Sequence, residues 1–475
     1  MENTDEVWTD ELDIWLVNVI NEHKKSIAYA AKRMKRTVQS VENRLAQLNK
    51  RISNEHTPTP TPIIIEGLTT EQHRAIEAVK RGQNVLITGP AGTGKSFTIK
   101  TIIEWAESAN KAVALTATTG LAASLIGGNT INSYLSIGTG TKSVDELVAF
   151  ARKTKFPIKN VNDIDILVID EVSMMSDALF DKVYEYINTL RMKKNTTLPW
   201  GGLQVILVGD FCQLPPVQGN FCFKAAMWPN ADLHIVQLTT LIRQSGDATF
   251  QKLLMDLRFG KCTMATYDIL KALSVTTYQN GIIPTRLYSM NVDVDKINMD
   301  EYEKLKLAGA QTHVYKAKFK TEAVKWMASC RIPSEIALCE GAQVFVTHNI
   351  PSSGLVNGSI GIVRLIGVSG VNIGLCDGTS VTINYHTLVC EGNRNIKAEF
   401  MPLKLAFALT IHKSQGMTLD AVEMDLGKSI FEYGQAYTAL SRAKSLNCVK
   451  IIDIVPKSFR IHPDVKAFYE GDGNN

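Results

Sequence analysis

Asn84-Val85-Leu86-Ile87-Thr88-Gly89-Pro90-Ala91-Gly92-Thr93-Gly94-Lys95-Ser96 decides the fold. The apolar start reads as a strand, and Gly89 to Ser96 match GxxxxGK(S/T) without a mismatch. Phe97–Ala106 follows with helical texture. Strand, glycine loop and helix in that order make a phosphate-binding loop. Glycines let backbone N–H groups point at phosphate oxygens, and the helix N-terminus adds partial positive charge. The candidate nucleotide contacts are Gly89, Pro90, Ala91, Gly92, Thr93, Gly94, Lys95 and Ser96. Lys95 is expected to reach the β- and γ-phosphates, and Ser96 to ligate Mg2+.

The next chemical signal is Ile166-Leu167-Val168-Ile169-Asp170-Glu171. Four apolar residues end in two carboxylates, which fits a buried strand delivering acids at its C-terminal edge. Asp170 is then expected to hold Mg2+ through water, and Glu171 to orient and activate an attacking water. These two motifs imply nucleoside triphosphate hydrolysis without naming its output. A GTPase needs an NKxD-like base-reading motif, and the sequence has none.

Outward from this pair, apolar strand-like runs alternate with helical stretches at Asn84–Thr88, Ala112–Thr116, Ile166–Ile169 and Leu203–Val208. That rhythm predicts an α/β fold with a parallel sheet and crossover helices. Around Gln343–Ile383 the runs shorten, and Asn357-Gly358 and Asp377-Gly378 punctuate them. This predicts a small antiparallel β insertion. Upstream, Thr57-Pro58-Thr59-Pro60-Thr61-Pro62 reads as an extended linker.

The linker sets off residues 1–56, which read as three short helices. Their stripes are Trp8, Leu12, Trp15, Leu16 and Val19; then Ile27, Ala30, Ala31 and Met34; then Val38, Val41, Leu45 and Leu48, with Thr37 as the last N-cap. Lys24 to Arg51 is rich in Lys and Arg. Two readings stay open for this unit: a Myb or helix-turn-helix-like DNA module, or a partner-docking bundle whose basic face is solvated.

The 475 residues suggest about three domains. With 45% hydrophobic and 21% charged residues the chain reads as globular. The net charge of +4 is too small to name a partner. No apolar run reaches the roughly 18 residues of a membrane span. The acidic start lacks an apolar signal core, so the protein is expected not to be secreted. The eight cysteines include no CxxC pair. They are expected to be free thiols in a reducing compartment, without a zinc site.

Further motifs appear in a fixed order, and they carry a resemblance. They are Leu68-Thr69-Thr70-Glu71-Gln72, then Thr116-Ala117-Thr118-Thr119-Gly120-Leu121-Ala122-Ala123 and Thr130–Tyr134. Pro199-Trp200-Gly201-Gly202-Leu203-Gln204 precedes Gly209-Asp210-Phe211-Cys212-Gln213-Leu214-Pro215-Pro216-Val217, and Leu241-Ile242-Arg243-Gln244 follows. Leu409-Thr410-Ile411-His412-Lys413-Ser414-Gln415-Gly416-Met417-Thr418 and Ala436-Tyr437-Thr438-Ala439-Leu440-Ser441-Arg442-Ala443 complete the set. From Leu68 to Val455 the chain resembles superfamily 1B DNA helicases of the RecD/Dda-like branch, and within it the petite-integration-frequency (PIF) helicase family. It departs at Asn132 and Tyr134, where the family usually has histidine and phenylalanine, and at Trp200, where phenylalanine is usual.

The resemblance implies an ATP- and Mg2+-dependent motor that moves 5′ to 3′ on single-stranded DNA and unwinds forked duplex. It implies roles in replication, recombination or repair, a monomeric motor, and single-strand-binding or replication proteins as partners. The implied layout is two RecA-like domains: the first over 66–236 with a wedge subdomain over about 135–162, the second split over 237–298 and 397–455. An SH3-like domain would fill 299–396, and 456–475 would be a tail. Gln72 would read adenine, Gln213 would sense the γ-phosphate, and Arg243 and Arg442 would be arginine fingers. Gly434 and Gln435 would line the nucleotide cleft. Thr116, Thr118, Thr119, His412, Lys413, Ser414 and Thr418 would contact the strand, and Tyr134 and Phe211 would stack on bases. The alternative is an ATP-switched factor that recognises an origin or DNA structure without processive unwinding.

Overall fold

The computed structural model describes residues 27–34, 37–44 and 67–471, apart from 139, 192–197, 277–283, 330–331, 349, 351–352, 354, 356–358, 376–377, 391–392 and 420. These residues form two compact units, Met1–Leu68 and Thr69–Asn475. In the first, helix Ile27–Met34 and the helical residues 38–44 bury Ala31 and Val41. Thr37 caps the second of these, its hydroxyl accepting the Ser40 N–H at 3.2 Å. Val38, expected inside, is 44% exposed. The first expected helix, residues 45–56 and the Thr-Pro linker fall outside the described residues.

The second unit opens on a parallel sheet. Its strands are β1 (Asn84–Thr88), β2 (Val113–Ala117), β3 (Asn129–Thr130), β4 (Ile166–Asp170), β5 (Gln204–Gly209) and β6 (Leu233–Gln237), in the order β3-β2-β4-β5-β1-β6. Every residue of β4 and β5 is buried. Helices cover both faces of such a sheet, so continuous apolar runs replace alternation. The order matters for chemistry. β5 lies between β1 and β4, so the loop after β5 leaves the sheet between the glycine loop and the two acids. Helices Val144–Thr154 and Phe156–Asn162 pack on helix Asp177–Arg191 and bury Leu147, Val148, Ala151 and Val161.

A second parallel sheet runs Ala408–Thr410, Thr285–Tyr288, Val422–Leu426, Val449–Ile454. Between its first two strands in sequence lies an antiparallel insertion with its own core around Val344, Val363, Val371 and Ile373. The expected return to the parallel sheet at Lys397 needs correction. Strand Asn393–Phe400 pairs with His386–Cys390 and Lys318–Phe319, and Leu403–Leu405 pairs with Gln343–Val346. The chain rejoins the parallel sheet at Ala408.

The expected tail is also corrected. Pro463–Gly471 is a helix that buries Val465 and packs Phe468 and Tyr469 against the core.

Candidate nucleotide cleft

The glycine loop is held by its surroundings before any ligand is considered. A Cβ on Gly89 would lie 2.2 Å from the Leu238 carbonyl oxygen. One on Gly92 would lie 2.5 Å from Gln244 Oε1, and one on Gly94 2.5 Å from Gln72 Nε2. All three have φ between 82° and 144°, where L side chains are strained. The Gly92 carbonyl accepts the N–H groups of Ile242 and Arg243 at 2.8 and 3.0 Å. The loop after β6 therefore clamps the phosphate loop.

Lys95 Nζ donates to the Gly89 and Pro90 carbonyls at 2.8 and 3.0 Å. Burial lowers its pKa, and Asp210, Glu171 and Asp170 oppose that fall. Ser96 is exposed at the helix start. Thr93 is buried and donates to Pro90 O at 2.9 Å. Gln72 receives the Thr69 N–H at 2.9 Å and donates to Thr93 O at 3.1 Å. It caps its helix and props the loop, and its amide has a second hydrogen and lone pair for an adenine edge.

Asp170 is buried at the end of β4 and accepts the Glu171 N–H at 2.8 Å. Burial and the adjacent Glu171 push its pKa up to about 7. Lys95 opposes this rise but does not cancel it, and a divalent cation would supply the remaining positive charge. Glu171 has φ 53° and ψ 43°, a left-handed backbone that costs energy in a non-glycine residue. Its carboxylate accepts Gln415 Nε2 at 2.9 Å, from the second sheet's side of the cleft.

The two arginines meet there as well, Arg243 from the loop after β6 and Arg442 from the second sheet's side. Arg243 Nη1 donates to Ser441 O at 3.1 Å. Burial, then the neighbouring Arg442, press its pKa down to about 10. Arg442 is 2% exposed and donates to Thr438 O, Met417 O and Ser441 Oγ at 3.0, 3.4 and 2.8 Å. Gly434, at φ 67°, presses against the loop after β5: a Cβ there would lie 2.4 Å from the carbonyl oxygens of Cys212 and Gln213. Buried oxygens of Gln213, Gln244, Gln415 and Thr438 have no hydrogen-bond partner among the described residues. Buried polar groups want partners, and a nucleotide with its cation and waters supplies them. The donor set thus fits ATP and Mg2+.

Five expected site residues do other work. Gln435 is fully buried, receiving the Phe431 and Glu432 N–H groups at 3.2 and 3.3 Å, so it braces its helix and does not line the cleft. Thr116 is buried and donates to Val168 O at 2.6 Å inside the sheet. Ser414 is buried and donates to Ile411 O at 2.8 Å. Phe211 is 1% exposed amid Phe221, Phe223 and Phe468, so its ring has no face for a base. Tyr134 packs against the core and donates to Asn160 O at 2.7 Å, fastening the helices of 144–162. Trp200 is likewise a plug, edge-on to Phe180 and Tyr184.

The remaining strand candidates keep some surface. Thr118 donates to Glu171 O at 2.8 Å, tying its turn to the end of β4, and the Thr119 hydroxyl accepts the Ala122 N–H at 3.2 Å. Both are half-buried, as are His412 and Lys413, while Thr418 is exposed. The sequence reading missed Gln415, Gln244, Tyr437 and Asp210, although each lies inside a quoted motif. It also missed Arg258 and Tyr469, which lie in none.

The family model described as PIF1-like helicase matches residues 67–268. The crystal structure of Pif1 helicase from Candida albicans superposes with TM-score 0.75 at 31% identity, covering 85% of this chain and 99% of that one. The chain belongs to the PIF1-like helicase family. Another member, the ATP-dependent DNA helicase PIF1 of Xenopus laevis, is 37% identical over 420 residues. That match takes in 85% of this chain but spans only 64% of the Xenopus protein. A third, the Bacteroides Pif1 helicase in complex with ADP-AlF3 and single-stranded DNA, has TM-score 0.65 and 26% identity, covering 86% of this chain and 98% of that one. The family's fold is this chain's: two parallel sheets with an antiparallel insertion.

Proposed function

We propose that this protein is an ATP-dependent DNA helicase that moves 5′ to 3′ along single-stranded DNA and opens forked duplex. One observation carries the reading. Glu171, at the end of a first-sheet strand, is gripped by Gln415, which follows a second-sheet strand by a short helical turn. A hydrolytic centre built from both lobes senses their separation, which a motor requires and a simple phosphatase does not. The family relatives named above, one of them holding ADP-AlF3 and single-stranded DNA, support the same reading.

In this reading the N–H groups of the glycine loop face the phosphates, and Lys95 leaves the Gly89 and Pro90 carbonyls for the β- and γ-oxygens. Ser96 and Asp170 would hold Mg2+, which offsets charge on the phosphates. Glu171 orients water and takes its proton. Arg243 and Arg442 turn from backbone carbonyls to the γ-phosphoryl oxygens as charge develops there. Gln213 senses that phosphate. His412, Lys413, Thr418, Thr118 and Thr119 are the strand contacts we retain. Strand displacement on 5′-tailed, 3′-tailed and forked duplexes tests the proposal. Unwinding that needs a 5′ tail supports it. Efficient unwinding from a 3′ tail alone overturns the polarity, and ATP-dependent binding without unwinding favours the switched factor.

A further inference from the structure

The carboxylate of Asp210 lies just after β5, three residues before Gln213, and is wholly buried. Three helices from beyond β6 in the sequence converge on it, the last of them packed on the first lobe. From Ala248–Arg258, Arg258 donates Nε and Nη2 to Asp210 Oδ1 at 3.2 and 2.9 Å. From Gln435–Leu440, the Tyr437 hydroxyl donates to Oδ2 at 3.2 Å. From Pro463–Gly471, the Tyr469 hydroxyl reaches Oδ1 at 3.4 Å. Burial works against both charges of the pair, yet Arg258 holds the Asp210 carboxyl below its ordinary range, and Asp210 holds the guanidinium above its own.

The same two tyrosines reach the phosphate loop. Tyr437 receives the Ala91 N–H at 3.1 Å. Tyr469 lies 2.6 Å from Thr88 Oγ1, at the last residue before Gly89, and receives the Phe211 N–H at 3.3 Å. Its ring stacks on the Arg258 guanidinium at 4.6 Å. The helix is anchored around it: Phe468 stacks on Phe223 at 4.7 Å, and Asp464 pairs with Lys224 at 3.1 Å. Arg258 Nη1 is buried without a hydrogen-bond partner among the described residues. Phe468 and Tyr469 also line a cavity of about 320 Å³ with Arg74 and Gln237, which leaves room for the ring to shift.

A buried ion pair is costly to assemble and seldom adds net stability over apolar packing. This one spans two lobes and ties the start of the glycine loop, at Thr88 and Ala91, to the turn that carries Gln213. We propose that Tyr469 and Arg258 are positioning residues for ATP hydrolysis: they clasp Asp210, so that the second lobe's orientation sets the geometry of the phosphate site. The clasp rests on the helicase reading only in that lobe movement is what it transmits.

The test is a double-mutant cycle on Tyr469→Phe and Thr88→Val, which remove hydroxyls and keep the shapes. ATP turnover is measured with and without single-stranded DNA, alongside thermal melting. Each single variant is expected to lower kcat by about tenfold to a hundredfold, with the ATP KM moved less than about twofold, since a displaced phosphate site loses chemistry before binding. The double variant should be no worse than the worse single. ATP spent per base pair opened should rise. Wild-type kcat and KM in a folded Tyr469→Phe, or additive losses in the double variant, would overturn the clasp. Arg258→Lys, which keeps the charge but loses the fork, should retain folding and show the same kcat loss; full activity there overturns Arg258's part. The wild type's own response to DNA reports separately on the helicase reading, and kcat without DNA reports on the clasp whichever way that falls.

Discussion

At the scale of single residues, Glu171 and the two arginines make the sharpest expectations. Glu171→Gln keeps an oxygen for the Gln415 amide, so the cross-cleft bond survives while the base is lost. The variant should bind ATP and hydrolyse it very slowly, and Lys95→Ala should abolish turnover; near wild-type turnover by Glu171→Gln in a phosphate-release assay would refute the role. Arg243 keeps its charge at neutral pH even with its pKa near 10. Arg243→Ala and Arg442→Ala should each cut DNA-stimulated hydrolysis about 10³-fold while ATP binding weakens far less. A variant that binds ATP poorly but turns over normally at saturation would move that arginine to ground-state binding. Lys95 and the two acids could be singled out by motif spacing, and the arginines only through the family resemblance; the structure gathers them at one cleft, and the variants above test their roles. The aromatics were not legible in either way. Phe211 and Tyr134 carry the same rings whether they stack on a base or fill a core, and the difference is set by partners such as Phe468 and Asn160 that lie far off in the chain.

At the scale of elements, the β strands leading into chemistry were readable, since a strand buried on both faces must be apolar throughout and must end where its acids emerge. The insertion announced itself in the sequence through short apolar runs punctuated by Asn-Gly and Asp-Gly pairs. Its far boundary did not, because nothing in the sequence of Asn393–Phe400 says which sheet it joins, and its pairings with His386–Cys390 and Lys318–Phe319 assign it. Within the insertion His348 sits against Phe400 at 5.0 Å and His386 at 5.7 Å. Burial, then His386, push its pKa down to about 4 from an ordinary 6.5. The folded state therefore holds His348 neutral while the unfolded chain takes up a proton. Its contribution to stability is full above pH 6.5 and is lost as pH falls toward 4, on the order of 3 kcal/mol over that window. Melting temperatures between those pH values should fall less steeply in His348→Gln; an unchanged slope would discard the assignment.

At the scale of the whole molecule, motif order along the chain gave the two-lobed architecture, but not the return of helix Pro463–Gly471 to the first lobe. Nothing in Phe468-Tyr469 marks a catalytic connection until Thr88 and Asp210 are seen beside it. The amino-terminal unit keeps its two readings. A tethered second DNA site raises local concentration and lowers apparent dissociation without touching the motor. Deleting residues 1–62 should leave single-strand-stimulated ATP hydrolysis nearly intact and weaken fork binding. The salt dependence of that binding should flatten too, because fewer phosphates are then neutralised and fewer counterions released. No duplex binding by the isolated unit at low salt would leave the docking reading.

The split second sheet also dictates an order of assembly. Thr285–Tyr288 takes its parallel neighbours from Ala408–Thr410 and Val422–Leu426, with the whole antiparallel insertion lying between them in the sequence. Closing so long a loop costs entropy that no local contact repays, and pairings of high sequence separation form late. If the insertion folds first, it shortens that loop by bringing its own ends together. During refolding, amides of Ile360–Ile366 and Gly370–Gly374 should gain protection from hydrogen exchange before those of Thr285–Tyr288. Simultaneous protection would mean that the insertion does not nucleate alone. A lesion in the insertion core, such as Val371→Ala, would then slow completion of the nucleotide cleft without touching a residue that lines it.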